Sequence, residues 1–369
     1  MKLTPWLMAV AIALPTSANA FDIRFNGFMS IGAGVTLDKD QNYIVDPVNG
    51  GTYTNELSFA PGSMIAIQAL ARVNDSLTAT AQMIGRGGED FDTSFEWAYL
   101  SYRATDSLEL RAGRQRAPLY YYSRFLDLGY GYQWIRPPME TYNLFVTTVE
   151  GISADYRLNL GPVSGTWTGY IGATESYDPV AGSDVHFRRL AGTALDLSLS
   201  DFTFRGAYHS AMDTQITRYI AMDPNNPQNT TPFRLDLPLA FMSAALSYDN
   251  GTLFSIVEAT RAVNDGDPDL INNRNSVYAS TGYRIGSLTP HFTYAVYWED
   301  DNGVSPLPGT PDPGANPVEL HSYTAGVRWD FDIAAALKLE YTHRQDHTEV
   351  PLPHFGDADV ISVAIDVVF

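Results

Sequence analysis

The feature that most constrains this chain is an alternation of apolar and polar residues with a period of two, which recurs along almost its whole length. In "SMIAIQALARV", Ile65 and Ile67 share one face, whereas Gln68 and Arg72 lie on the other. The segment "LTATAQMIGR" repeats the pattern after the short turn "NDS". Such alternation indicates β-strands with one apolar and one polar face. About sixteen segments of this kind can be counted.

The connections between these segments alternate strictly between short and long. The short ones are "NDS", "ATDS", "GPV", "LSD", "DNG", "IGS" and "DFDI". The long ones span residues 37–60, 87–93, 118–147, 176–185, 213–236, 264–274, 300–318 and 347–356. A soluble sandwich would mix loop lengths at both ends. This pattern instead predicts an all-β, antiparallel up-and-down barrel of about sixteen strands that crosses a membrane, with short periplasmic turns and long extracellular loops.

A membrane explains why the sheet must close and which face each side chain takes. In hydrocarbon every backbone amide needs a partner, so an open sheet edge is excluded. A lipid-facing Arg or Lys near the bilayer centre costs roughly 2–4 kcal/mol, so the basic residues of the strands are expected to point inward. Aromatics near strand ends, such as Trp97, Tyr156 and Trp329, are candidates for interfacial girdles. The predicted lumen-wall residues are Arg24, Gln68, Gln82, Arg157, Arg205, Arg328 and Lys338.

The N-terminal segment 1–20 has the pattern of a cleaved secretory signal peptide. Lys2 is followed by the apolar run "PWLMAVAIALP" and by "ANA", a small-x-small cleavage site before Phe21. The run is too short for a spanning helix, and a buried N-terminal strand or helix is the alternative. We therefore predict one barrel domain over residues 21–369. The absence of cysteine agrees with an oxidising compartment.

Charge and motifs exclude several functions. The net charge of −19 argues against nucleic-acid binding, because phosphates need a basic surface. The seven histidines include no HExxH motif, and no G-x-S-x-G elbow is present. The acidic stretch "NDGDPD" lacks the full calcium-loop pattern, so we interpret it as a solvated loop. We expect no catalytic residue, no metal and no cofactor.

The C-terminal stretch "VISVAIDVVF" adds a more specific signal. Ile361, Val363, Ile365 and Val367 alternate with polar or small residues before a terminal Phe369. Together with the signal peptide, the strand count and the loop alternation, this ending resembles the Gram-negative outer-membrane general (diffusion) porins. The resemblance implies an outer-membrane location, a homotrimer and contact with the lipid bilayer and lipopolysaccharide. It also implies that Phe369 is the signal read by the barrel-assembly machinery.

The third long connection, residues 118–147, is rich in aromatics and does not alternate. It contains "LYYYSRFLDLGYGYQWIRPP", which is costly to leave in water. In the porins that this chain resembles, this loop folds into the barrel and constricts the pore, with loop acids opposite basic wall residues. An external loop that packs on its neighbours or on another subunit is the alternative. The predicted constriction residues are Asp127 and Glu140 with Arg72, Arg86, Arg111, Arg114, Arg116, Arg124 and Arg136.

The sequence allows more than one interpretation of two features, the side-chain directions in one region and the function. The inward or outward direction of side chains near residues 94–117 is ambiguous, and a bulge near Gly113 is one explanation. The favoured function is a water-filled channel for passive diffusion of small hydrophilic solutes and ions. A channel selective for a sugar or a small organic acid is the alternative, and a non-transport barrel such as a lipid-acting enzyme or adhesin is a third possibility.

Overall fold

The computed structural model describes residues 22–46, 51–144, 146–178, 183–221, 230–264, 272–300, 317–348 and 356–369. The predicted signal peptide and Phe21 lie outside this part of the chain, as does most of the "NDGDPD" stretch. The described residues include no helix with the length and apolar character needed to span a membrane.

In the described part of the chain, sixteen strands close into one barrel. Neighbouring strands are antiparallel and follow the chain order, and the first and last strands pair to close the ring. The barrel strands are β1 (Asp22–Thr36), β4 (Met64–Arg72), β5 (Leu77–Arg86), β6 (Thr93–Arg103), β7 (Leu108–Arg116), β8 (Thr148–Leu160), β9 (Val163–Asp178), β10 (Ser183–Leu199), β11 (Phe202–Ala221), β12 (Thr230–Asp249), β13 (Leu253–Asn264), β14 (Arg274–Tyr283), β15 (Leu288–Glu299), β16 (Glu319–Asp332), β17 (Ala335–Asp346) and β18 (Ala358–Val368). A hairpin of β2 (Tyr43–Asp46) and β3 (Gly51–Tyr53) lies within the first long connection. The predicted antiparallel barrel is confirmed.

The two faces of the strands follow the predicted alternation. Ile65 and Ile67 are exposed on the outside, as expected for residues that meet lipid. Gln68 and Gln82 point inward and share a hydrogen bond of 3.2 Å across β4 and β5. The terminal residue Phe369 pairs through its backbone with Gly27, and its ring is exposed. An apolar exterior and a polar interior therefore come from the same alternating sequence.

Strands β9 to β12 are longer than the sequence predicted. They have 16 to 20 residues each and include parts of the predicted loops 176–185 and 213–236. The pairing of β11 with β12 continues to Ala221 and Thr230. These strands exceed the 9–11 residues that cross a bilayer, so their long-loop ends extend past the lipid.

The ambiguity near residues 94–117 comes from a bulge in β6. Gln82 pairs with Trp97 and Met83 pairs with Phe95, so Glu96 is the extra residue. Phe95 points outward, whereas Glu96 is buried inside the barrel. The predicted bulge near Gly113 is wrong, because the pairing of Gly113 with Tyr99 and with β8 is uninterrupted. Two consecutive residues of β6, Glu96 and Trp97, therefore both point inward, and simple alternation fails there.

Candidate functional site

The third long connection, which the structure describes over residues 117–144 and 146–147, lies inside the barrel. It contains two short 3-10 turns, Ser123–Phe125 and Gly129–Gly131. Its aromatic residues pack on the inner wall rather than on the outside of the protein. Tyr120, Tyr132, Trp134 and Tyr142 form one buried cluster with inward residues of β9 to β15. We call residues 117–147 the inserted loop.

Ring contacts hold the inserted loop against the wall. The ring of Trp134 meets that of Tyr278 edge to face at 5.7 Å, and its indole nitrogen donates to Thr293 (2.7 Å). Tyr120 packs edge to face on Phe241 at 5.3 Å. Each aromatic removes a large apolar area from water, and the polar atoms of Trp134, Tyr120 and Tyr142 are hydrogen-bonded. This burial explains how a long aromatic segment without regular structure is accommodated.

Two wall carboxylates accept hydrogen bonds from the inserted loop. Glu258 on β13 accepts from the Tyr121 amide (2.7 Å) and from the Tyr142 hydroxyl (2.6 Å). Glu340 on β17 accepts from the Ile135 amide (3.0 Å). Irregular backbone inside a barrel has no strand neighbours, so side chains must satisfy its amides. These two glutamates serve as partners of the loop backbone, and no pattern in the sequence distinguishes them from other acidic residues of the strands.

Three of the predicted lumen-wall cations donate to loop carbonyls. Lys338 donates to the carbonyls of Gly129 (2.6 Å) and Trp134 (2.5 Å), and Arg205 donates to that of Pro118 (2.5 Å). Arg328 donates to the carbonyls of Tyr130 (2.7 Å) and Tyr132 (2.8 Å). Their inward direction agrees with the prediction, but their side chains contact the inserted loop instead of lining an open lumen. The Tyr130 hydroxyl also reaches the carbonyl of Ile333 in a short turn, so the loop extends to the short-turn end of the barrel.

Four charged residues form a compact buried group at the root of the inserted loop. Asp127 of the loop contacts Arg116 on β7 and Arg86 on β5, the latter at 3.0 Å. Glu96 lies 3.0 Å from Arg86 and 3.1 Å from Arg116. We call these residues the charge quartet. Burial opposes ionisation of Asp127, but Arg116 and Arg86 outweigh it and hold the pKa of that carboxyl well below its usual range.

The predicted arrangement of a loop acid facing wall arginines is therefore present for Asp127. The partners touch, however, and the side chains are almost fully buried, so they do not face each other across open water. Glu96 was missed by the sequence reasoning, because the bulge in β6 hides its inward direction. With two acids and two bases, the charge quartet is neutral as a group.

The other loop acid, Glu140, does not meet the predicted arginines. It is fully buried near the inward faces of β16 and β17, in a small space also lined by Ser322, Thr342 and Glu340. Burial raises the pKa of its carboxyl, and the attraction of Arg344 opposes this increase. The cation that acts on Glu140 is thus Arg344 on β17, which is separated from β4 by the two strands β18 and β1.

The remaining predicted constriction residues do not lie together. They are Arg72, Arg111, Arg114, Arg124 and Arg136. Arg111 pairs inside the barrel with Glu109 (2.8 Å) and Asp155 (2.7 Å). Arg136 is half-buried in the loop and approaches the sulfur of Met64 at 3.8 Å. Arg72 is exposed at the short-turn end of β4, away from the inserted loop, so its predicted constriction position is corrected. Two predicted wall residues, Arg24 and Arg157, are likewise exposed at short-turn ends.

Arg114 is placed wrongly by the sequence prediction. It pairs with Glu150 of β8, two residues from the exposed Ile152, and both side chains lie on the outer face. Their atoms approach to 2.8 Å. The cause is the alternation along β7. Arg111 and Gln115 point inward, so Arg114, which directly precedes Gln115, points outward. The prediction that Trp97 belongs to an interfacial girdle is also wrong, because its side chain lines the interior.

The inserted loop leaves space on one side of the barrel. A cavity of about 430 Å³ lies between the loop residues Arg124 and Phe125 and the wall residues Gln68 and Gln82. A second cavity of about 190 Å³ lies along β6 to β9, beside Arg111 and Asp155. The residues common to both cavities are Trp97, Arg116 and Arg124. The two spaces therefore meet at Arg124, whose side chain is half exposed and donates to Thr168 (3.2 Å).

A second element also folds inward, at the long-loop end. Tyr53 of the β2–β3 hairpin is fully buried against Ala358 and Val360 of β18. Arg344 donates to the carbonyl of Asn42 (2.7 Å) and lies over the ring of Tyr43. The hairpin covers the lumen beside β17 and β18 and lines a small space together with Arg136 and Glu140 of the inserted loop. The sequence reasoning treated this region as an external loop.

Comparison with known proteins supports the fold. No described protein family matches the sequence, and no curated protein matches it. Solved structures do match. The outer-membrane channel DcaP of Acinetobacter baumannii is 13% identical, with a TM-score of 0.64 over 96% of this chain and 99% of that one. An anion-selective porin from Comamonas acidovorans is 15% identical, with a TM-score of 0.54 over 95% of this chain and all of that one.

A third solved structure is the trimer form of OmpT, an outer membrane protein of Vibrio cholerae. It is 13% identical, with a TM-score of 0.57 over 95% of this chain and all of that one. At such low identity the likeness concerns the fold alone. The chain therefore shares the fold of Gram-negative outer-membrane porins and channels.

Proposed function

We propose that this chain forms a water-filled channel for passive diffusion of small hydrophilic solutes and ions across an outer membrane, with the inserted loop as its constriction. One observation carries this proposal. The loop packs tightly on the wall formed by β9 to β15 and leaves the two cavities along β1 and β4 to β9. A loop that filled the barrel evenly would leave no such space on one side.

The lining of this space suits hydrated solutes. Gln68, Gln82 and Asp155 offer polar groups from the wall, and Arg124 offers a half-exposed cation from the loop. Selection in such a passage depends on its width and on its fixed charges. We expect no catalysis in this chain, since the solutes would be transported unchanged.

Electrical recording in planar lipid bilayers tests the proposal. The purified mature chain should give stepwise increases in conductance, whereas the detergent buffer alone should give none. A salt gradient across the bilayer then yields the reversal potential and hence the ion preference. Folded barrels that insert into the bilayer without any current steps would contradict the proposal.

A substrate-selective channel is the second candidate, favoured by the aromatic rings of the two cavities. Trp97, Tyr99 and Tyr170 belong to the wall, and Phe125 belongs to the inserted loop. Rings of this kind stack on sugar faces or on aromatic acids. A solute of that class should block the single-channel current at low concentration, whereas general diffusion predicts no saturable block. A non-transport barrel, such as a lipid-acting enzyme or adhesin, would give neither current nor block.

The remaining features of the proposal concern assembly and location. We propose removal of residues 1–20 on export, insertion into the outer membrane next to lipopolysaccharide, and recognition of Phe369 by the barrel-assembly machinery. We also propose a homotrimer, in line with the trimer form of the Vibrio cholerae OmpT fold relative. Native mass spectrometry of detergent-extracted protein should give three times the mass of the mature chain, and a single-chain mass would contradict the trimer.

A further inference from the structure

The seam of the barrel, where β1 meets β18, joins the two ends of the chain. Each other pair of neighbouring barrel strands is consecutive along the chain and is tethered by its own connection. Ser30 and Asp366, which face each other across the seam, are 336 residues apart. A strand pair without a tether opens most readily, and an open edge in hydrocarbon leaves backbone groups unpaired. The seam therefore gains most from contacts that hold it from inside the barrel.

A turn of the inserted loop lies directly on this seam. The 3-10 turn Gly129–Gly131 contacts both β1 and β18. Gly129 is buried there, and a Cβ atom added to it would overlap Oδ1 of Asp366 and lie 2.8 Å from Oγ of Ser30. Only a residue without a side chain lets the loop backbone come this close to both strands. The position of the turn on the seam therefore depends on Gly129.

One buried ammonium group links the inserted loop to the seam. The Nζ atom of Lys338 on β17 lies 2.6 Å from the carbonyl oxygen of Gly129, 2.5 Å from that of Trp134 and 2.8 Å from Oδ2 of Asp366. An ammonium group has three N–H donors, and these three oxygens match them in number. Lys338 and Asp366 are both buried, so the loss of these acceptors would leave a charged group short of partners.

Asp366 extends these contacts across the seam. Its Oδ1 atom accepts a hydrogen bond of 2.5 Å from the hydroxyl of Ser30 on β1, and Ser30 is also buried. The contacts therefore run from two loop carbonyls through Lys338 to Asp366 on β18, and from there to Ser30 on β1. If the loop were displaced, Lys338 would lose two of its three acceptors. If the seam were open, Gly129 would lose the surface on which it packs.

The same turn lies beside the proposed passage. Leu128, which directly precedes Gly129, lines the cavity of about 430 Å³ together with Asn26 and Phe28 of β1 and Val368 of β18. Movement of the turn away from the seam would therefore change the width of this space. The stability of the seam and the dimensions of the passage thus depend on the same contacts.

We propose that the contacts from Gly129 through Lys338 and Asp366 to Ser30 form a latch that holds the barrel seam closed. Docking of the inserted loop and closure of the barrel then form one cooperative unit, because the loss of either leaves buried groups of the other without partners. A closed barrel therefore carries its constriction in place, and a barrel without a docked loop opens more readily between β1 and β18. This inference goes beyond the proposed transport and does not depend on it.

Backbone hydrogen exchange of the detergent-folded protein, followed by mass spectrometry, tests the latch without reference to transport. In the Gly129→Ala variant the turn must move off the seam, so we expect the amides of β1 and β18 to exchange at least about tenfold faster than in the wild type. The amides of β10 and β11 should be unchanged. The matched control is Gly131→Ala, whose methyl group would lie 3.2 Å from the movable ring of Phe125. Equal seam exchange in the wild type and the Gly129→Ala variant, or an increase spread over the whole barrel, would overturn the proposal.

The Lys338→Met substitution supplies a second test that adds no bulk at the seam. Methionine keeps an unbranched side chain but removes the three donors, so we expect faster seam exchange together with larger or noisier single-channel conductance. Arg328→Met is the matched control. In the described part of the protein, Arg328 donates to the carbonyls of Tyr130 and Tyr132 and to Asp330, and not to the seam strands. It should therefore alter the conductance while seam exchange stays at the wild-type rate.

The outcomes of this second test separate the latch from the proposed transport. Heat-modifiable mobility in electrophoresis first establishes that each variant is folded. A change in only one of the two measurements for the Lys338→Met variant would contradict the coupling of loop and seam. If no protein, including the wild type, carries current, the proposed transport is overturned, and the exchange rates alone then decide whether the latch exists.

Discussion

At the scale of residues, the interior of this barrel contains buried ion pairs in which acidic and basic side chains are in direct contact. The charge quartet balances two acids against two arginines, and Lys338 is paired with Asp366 at 2.8 Å. Removing one partner from such a buried group leaves an uncompensated charge, which costs more than the pair itself contributes. The quartet therefore fixes the position of Asp127, and with it the root of the inserted loop.

The Asp127→Asn substitution should make the constriction more positive and the loop less firmly held. The quartet then carries one excess positive charge, so the reversal potential in a salt gradient should move toward anion preference. Loss of this buried charge partner should lower the free energy of unfolding by roughly 3–5 kcal/mol. The Asp249→Asn variant is the control, since Asp249 pairs with Arg284 at an exposed short turn. Equal reversal potentials for the wild type and the Asp127→Asn variant would argue against this role.

The pKa of Glu140 gives the loop a pH dependence of defined sign. Burial raises this pKa above its usual value of 4.5, so the folded protein binds the proton more tightly than the unfolded chain does. The stabilisation is complete below pH 4.5 and is lost as the pH rises toward the folded pKa. The Glu140→Gln variant should therefore gain stability relative to the wild type as the pH rises above 4.5, as measured by urea unfolding. A Glu56→Gln change in the exposed first loop should not alter the pH dependence.

Whether a side chain points into or out of the barrel could be predicted where the alternation is unbroken. The prediction failed where the alternation is interrupted. The inward positions of Arg86, Arg205 and Lys338 followed from the cost of a lipid-facing cation. Arg114 was misplaced for the same reason: the rule sends every strand arginine inward, whereas Arg114 lies on the outer face beside Glu150. The roles of Glu258 and Glu340 could not be predicted, because their partners are backbone amides of a distant loop.

At the scale of elements, the inserted loop behaves as an extra layer of the wall. It supplies apolar side chains to the cluster and accepts hydrogen bonds through its carbonyls, while wall carboxylates satisfy its amides. Its position inside the barrel could be predicted from aromatic content and family resemblance. The inward β2–β3 hairpin could not, since its strands have four and three residues and give too short a pattern.

Loosening one anchor should widen the passage. The Glu258→Leu substitution removes the acceptor of the Tyr121 amide and the Tyr142 hydroxyl, leaving two buried donors unpaired. We expect larger or noisier single-channel conductance. The Glu258→Gln variant keeps an acceptor oxygen in the same place and should change the conductance less. Identical traces for all three proteins would mean that the loop position does not depend on this contact.

At the scale of the whole molecule, a single alternating pattern determines both the closed sheet and its environment. Pairing β1 with β18 leaves no free edge, so the backbone can enter hydrocarbon. The strand count and the connection lengths sufficed to predict this architecture. They did not predict that the passage would lie to one side, because that depends on which wall the inserted loop packs against.

The central claim is that solutes pass between Arg124 of the inserted loop and the wall formed by β4 to β9. Cysteine modification during single-channel recording tests it most directly, since the native chain has no thiol. A bulky charged methanethiosulfonate reagent should reduce the current through the Arg124→Cys variant in discrete steps. It should leave the Val257→Cys variant, with its thiol on the lipid side, unaffected. An Arg124→Cys channel whose current is unchanged by the reagent would contradict the account.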